Sequence, residues 1–161
     1  MAQQTEWKKF ENSIKKTNYK YRKDRLAVIE YHEIPVKGNI LKQSTVDFTG
    51  VYGPDGKGIA FDAKQTGETK RFPLSNMKQH QVEFLRYWDK VGGKAYVFIQ
   101  FYNVQGFKEF YMTPISLITK YWDSRGKGRK SIPIEDFKDS WIQKTEDYLK
   151  YYANSTSNDR K

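Results

Sequence analysis

The chain contains no cysteine among its 161 residues, which excludes a disulfide framework and any zinc–thiolate site. Histidine is nearly absent as well, with only His32 and His80. Both read as ordinary surface or helix-start residues, and no Ser/His/Asp order supports acyl transfer. No apolar run approaches the ~18 residues that a membrane span needs, and no signal-peptide pattern opens the chain, so a cytoplasmic protein is expected. A Walker-type glycine-rich phosphate loop is missing, which removes an ATP site. Acid is scarce too: 19 Asp plus Glu stand against 29 Lys plus Arg, a formal net charge of +10. That excess is spread along the chain and points to a polyanionic partner, most simply nucleic acid, with solubility alone as the plainer reading. Aromatics are plentiful, 12 Tyr, 10 Phe and 4 Trp, enough both to fill a core and to stack on bases. The length suits one domain, expected over 1–153 with a polar tail at 154–161.

Periodicity divides this domain into elements. Trp7, Phe10 and Ile14 fall at helical spacing after Thr5, and 25–31 reads as a strand. A connector over 32–43 leads to strands at about 45–52 and 58–66, and 65–73 is polar and basic. Asn76 is a candidate cap for a helix reaching Val91, which Gly92-Gly93 ends. Strands follow at 94–102 and 107–112, then a short helix from Pro114 to Trp122. A basic, glycine-rich loop spans 125–130, and a last helix is expected over 135–152. The order αβββαββαα predicts an α/β domain with a central mixed sheet flanked by helices.

The chemistry concentrates in the middle strands. Gly53-Pro54-Asp55-Gly56 is a turn sequence, and a turn centred between Pro54 and Asp55 sets Asp47 opposite Asp62 on antiparallel strands. Their Cβ atoms would lie roughly 4.5–5.5 Å apart, and Lys64, two residues on, projects from the same face as Asp62. One reading is a solvated hairpin face. Against it, strand aspartates are disfavoured, Asp62 is embedded in Ile-Ala-Phe, and opposed like charges destabilise a sheet unless something neutralises them. A bound Mg²⁺, with Mn²⁺ able to substitute, is the natural neutraliser.

The series Ser44-Thr-Val-Asp-Phe-Thr-Gly-Val-Tyr52, Phe61-Asp-Ala-Lys-Gln-Thr66, Phe72-Pro-Leu74 and His80-Gln-Val-Glu83 resembles the RecU family of Holliday junction resolvases, within the PD-(D/E)xK nuclease superfamily. Phe110-Tyr-Met, Tyr121-Trp-Asp and Gly128-Arg-Lys-Ser-Ile132 fit the same family. The likeness covers about 40–135, and a fainter one reaches Phe10-Glu11 and Thr17-Asn18. It implies a restriction-endonuclease-like fold and metal-dependent cleavage of DNA at four-way junctions. Position by position, it implies Asp47, Asp62 and the carbonyl of Ala63 as metal ligands, with Glu11 completing the set. Lys64 would orient or activate the attacking water, and Thr45 and Gln81 would sit beside the site. Two departures stand out. The second acid is Asp62 where the family usually has Glu, and the stretch from Glu33 to Ser44 is too short for the family's long stalk. A compact version of this kind resembles phage-borne or archaeal-type resolvases.

Phosphate contacts are expected from Lys15, Lys16, Lys20, Arg22, Lys23, Arg25, Lys70 and Arg71, and from Arg125, Lys127, Arg129 and Lys130 of the basic loop. Tyr19 and Tyr21 suit either base stacking or core packing. Two strands cut in concert require two sites, so a two-fold homodimer is expected, with the Trp7/Phe10 helix as a candidate contact surface. The alternatives are a relative acting on duplex or flap DNA, and a non-catalytic DNA-binding accessory protein of recombination.

Overall fold

Thr5 opens the first helix, its hydroxyl accepting the Lys8 N–H at 3.3 Å and satisfying one of the amides a helix start leaves unpaired. The computed structural model describes residues 5–32 and 46–149. Helix α1 (Glu6–Lys23) buries Phe10, Ile14 and Tyr21 on one face. Strands β1 (Ala27–Tyr31), β2 (Phe48–Tyr52) and β3 (Lys57–Thr66) follow, then the short β4 (Arg71–Pro73). Helix α2 (Gln79–Lys90) leads to β5 (Lys94–Val104) and β6 (Phe107–Pro114), and α3 (Ile115–Ser124) to the short β7 (Ser131–Pro133) and β8 (Trp141–Ile142).

Six strands form one sheet in the order β1-β2-β3-β5-β6-β8. All neighbours are antiparallel except β3 and β5. A parallel partner cannot be reached by a tight turn, and α2 lies within the crossover between these two strands. The mixed α/β architecture is therefore the one expected.

Strand alternation sends successive side chains to two different cores. Phe48, Phe61, Ala63 and Phe98 pack with Phe10, Ile14 and Tyr148 on the α1 side. Ala60, Val97, Ile99 and Phe101 pack with Val82, Leu85 and Ile118 of α2 and α3 on the other. Asp62 and Lys64 keep step with Ala60, so they belong to the α2 side. Phe10 is 2% exposed and meets Phe98 edge to face at 5.2 Å between ring centroids. Its place in the core removes it from the candidate dimer surface.

Three local expectations are corrected. Asn76 ends a 3₁₀ turn, Leu74–Asn76, and does not cap α2. The cap bond there is supplied by Gln81, whose side-chain oxygen accepts the Lys78 N–H at 3.2 Å. The basic stretch around Arg71 forms β4, which pairs with β7 in a separate two-stranded ribbon, Phe72 opposite Ile132. Over its described part, the last predicted helix is instead a 3₁₀ segment (Ile134–Ser140), the strand β8 and a 3₁₀ turn (Thr145–Asp147). Residues 150–161, with the expected tail, lie outside the described residues. No helix among the described residues is long and apolar enough to cross a membrane.

Candidate active site

The β2–β3 hairpin pairs Phe48 with Phe61, Gly50 with Ile59 and Tyr52 with Lys57, the register the turn sequence predicts. Continued one residue past Phe48, that register brings Asp47 beside Asp62. Here side chains replace the backbone ladder. The Asp47 N–H donates to Asp62 Oδ1 at 3.1 Å, and the Ala63 N–H donates to Asp47 Oδ2 at 3.0 Å. The two carboxylates are thus held against each other at the open end of the hairpin.

Asp62 is completely buried. Its Oδ2 accepts no hydrogen bond, although Lys64 Nζ lies 3.0 Å away as an ion partner outside hydrogen-bond angles. A buried charge without full hydrogen bonding is costly. Burial, reinforced by the negative charge of Asp62, pushes the Asp47 carboxyl up to about 7, against the opposing pull of the Ala63 N–H and Lys64. Close carboxylates in a dry setting resist joint ionisation, and a hard divalent cation relieves that resistance because oxygen is its preferred ligand. The Ala63 N–H leaves β3 on the edge facing Asp47, and in an extended strand the carbonyl of a residue leaves on the same edge as its N–H. Orphaned Asp62 Oδ2, the Asp47 carboxylate and this carbonyl together fit such a cation.

Of the other expected members, Glu11 stands apart. It lies on α1, which packs on the opposite sheet face, and it pairs with Lys15 at 3.0 Å. Among the described residues, no three His, Cys, Asp or Glu side chains gather as a metal cluster. Gln81 is buried and spends its oxygen on the start of α2. Thr45 lies outside the described residues. His32, taken from sequence as unremarkable, is a neighbour of the site: its N–H donates to the Asp47 carbonyl at 2.7 Å, and its ring Nε2 shares a hydrogen bond with the Thr49 hydroxyl. The β1–β2 register, Tyr31 opposite Phe48, carries it there, and sequence offered no turn between those strands from which to read that register.

The expected phosphate contacts separate into two groups. Lys15, Lys16, Lys20, Arg22 and Lys23 belong to α1, on the sheet face away from Asp62, with Arg25 just beyond its end. Lys15 is occupied, bonded to Glu11 and 3.7 Å above the Tyr31 ring. Tyr21 is buried, with its hydroxyl on the Glu146 carbonyl, while Tyr19 is exposed. The second group converges. In the β4–β7 ribbon Lys130 sits beside Leu74 at one end, its carbonyl accepting the Leu74 N–H at 3.0 Å, and Lys70 beside Ile134 at the other, its carbonyl accepting the Ile134 N–H at 2.8 Å, while Arg71 and Lys130 line one cavity. Arg125 reaches the same region, while Lys127 and Arg129 are exposed on the loop between.

Residues 7–155 match the family model of RecU, recombination protein U. The chain is 34% identical over 139 residues to the Holliday junction resolvase RecU of Ligilactobacillus salivarius, covering 76% of this chain and 63% of that protein. It is 38% identical over 103 residues to the Holliday junction resolvase RecU of Pediococcus pentosaceus, covering 63% of this chain and 49% of that one. The matches thus span about half to two thirds of the length of these relatives. A solved structure of Archaeoglobus fulgidus Hjc, a Holliday junction resolvase from an archaeal hyperthermophile, aligns over 76% of this chain and 85% of that chain, at 14% identity and a TM-score of 0.43. With nearly all of its length matched by one family model, the chain belongs to the RecU family.

Proposed function

We propose that this chain is a divalent-metal-dependent endonuclease that cuts DNA at four-way junctions, acting as a homodimer that nicks two symmetric strands. The observation that carries this reading is the buried Asp62 carboxylate, 3.0 Å from Lys64 and bonded to the backbone of Asp47. Supporting it are the family membership and the names borne by its relatives, Holliday junction resolvase RecU.

Asp47, Asp62 and the Ala63 carbonyl would hold the ion, Mg²⁺ or Mn²⁺. When bound, it supplies the positive charge that offsets the negative charge a phosphodiester gains as water attacks. The protein contributes position and dryness. Ala63 fixes the Asp47 carboxylate through its N–H, and the packed β3–β5 strands keep bulk water from Asp62. Lys64 is held by Asp62 on one side and reaches solvent on the other, so its remaining N–H groups can orient water or steady an equatorial phosphate oxygen. The products would carry a 5′-phosphate and a 3′-hydroxyl. Junction choice without a long stalk falls to surface cations, of which the β4–β7 group shares the sheet face of Asp62.

The test offers purified protein with Mg²⁺ a four-way junction, a linear duplex and a flap of equal arm length. Paired, symmetric nicks near the junction centre are expected. Equal cutting of the duplex would replace this reading with a general nuclease, and no cutting of any substrate would leave a DNA-binding protein.

A further inference from the structure

Between the β4–β7 ribbon and α3 lies a cavity of about 590 Å³, within the roughly 300–1,000 Å³ typical of pockets that enclose small ligands. Arg71, Arg125 and Lys130 line it, three cations from separate segments of the chain, and none of the described lining residues is acidic. The nearby Asp123 is taken by Arg86, in two hydrogen bonds of 3.0 and 2.6 Å. None of the three cations has an ion pair with a described residue. Like charges gathered on one wall repel unless an anion sits among them. The rest of the lining is not what a phosphate alone requires. Leu74 and Trp122 form an apolar wall, the Arg125 guanidinium stacks 3.8 Å from the Trp122 ring, and Ser75 offers a hydroxyl. A flat guanidinium backed by an indole is a platform on which a nucleobase stacks.

We infer that this pocket holds one unpaired nucleotide of a DNA strand, phosphate on Arg71 and Lys130 and base against Arg125. The inference rests on DNA being the substrate. It adds a class of preferred DNA, one carrying an extrahelical or unpaired nucleotide, beyond the junction itself. The pocket and Asp62 lie on the same side of the main sheet, since Leu74 and Trp122 share a core with Ala60, the residue in step with Asp62.

The experiment measures fluorescence anisotropy with Ca²⁺ in place of Mg²⁺, on a duplex bearing a one-nucleotide bulge and on the same duplex without it. Wild-type protein should bind the bulged duplex roughly 10-fold more tightly, the value of about one stacked base. Arg71→Gln combined with Lys130→Gln should erase that preference. So should Ser75→Trp, which fills the mouth from an exposed position without altering charge. Absence of a bulge preference in wild type overturns the inference, and so does a preference that Ser75→Trp leaves intact. Cleavage of junctions in Mg²⁺ is scored separately: cutting without a bulge preference sinks the pocket alone, whereas a bulge preference without cutting sinks the nuclease and keeps the pocket.

Discussion

Asp47 and Asp62 are joined backbone to side chain, the N–H of one reaching Oδ1 of the other at 3.1 Å, so neither carboxylate can shift without moving the other's strand. Charge, position and fold stability are coupled at this point. Each can be perturbed separately.

Asp62→Asn keeps the shape and a carbonyl acceptor for the Asp47 N–H but removes the charge a cation requires. Cleavage in Mg²⁺ should fall by at least about 10²–10³-fold, while junction binding in EDTA or Ca²⁺ persists. Single-turnover gels and anisotropy on the same preparation check both halves. Retained cleavage would remove Asp62 from the metal site.

Protonation of Asp47 links stability to pH. Its folded pKa of about 7 stands above the ordinary value of 3.8, so between these limits the folded chain holds a proton that the unfolded chain has released. Metal-free stability should be greatest, as far as this group is concerned, below 3.8, decline as pH rises to about 7, and flatten above it. A bound divalent ion should reverse the trend, since binding expels that proton and strengthens as pH rises toward 7. Urea denaturation across pH, with and without Mn²⁺, reads this directly. A pH-independent metal affinity contradicts it.

Lys64→Met removes the ion partner of a fully buried carboxylate. Loss of one member of a buried pair typically costs about 3 kcal/mol, so unfolding midpoints should drop. Cleavage should be lost even where the variant is folded. The double variant with Asp62→Asn should recover stability but not activity, which separates the two roles of the lysine.

Gly50 lies in β2 where a Cβ would sit 2.0 Å from the Val28 carbonyl oxygen and 2.6 Å from Ile29 Cα. Both are backbone atoms, so the strand cannot yield by a rotamer change. Gly50→Ala should cost about 1–3 kcal/mol and weaken metal binding by displacing Asp47, three residues upstream. Thermal unfolding and metal titration test this, and an unchanged melting temperature would contradict it.

What could be read from sequence was what the chain encodes locally. Gly53 to Gly56 form the turn, and the alternation around it sets the register, so Phe48 meets Phe61 as expected. The placement of Asp47 beside Asp62 followed from that alone. Elements specified by distant partners were harder. Phe137, Trp141, Thr145 and Tyr148 recur at helical spacing, yet Trp141 and Ile142 pair with Tyr111 and Phe110 to finish the sheet edge, and Tyr148 is fully buried with its hydroxyl on Asn18. Those long-range bonds outweigh local helix preference. The β4–β7 ribbon was equally hidden. Its signal is the repeat of Arg71-Phe72-Pro73 and Ser131-Ile132-Pro133, two three-residue segments too short to register as strands until seen opposite each other.

Because both acids and the lysine are carried by one hairpin, the proposed reaction machinery is a single short cassette, whereas the surfaces proposed to grip DNA come from remote parts of the chain. Under the proposed function, those outlying parts can be lengthened, trimmed or recharged, exchanging one DNA architecture for another, without disturbing how the phosphodiester is broken.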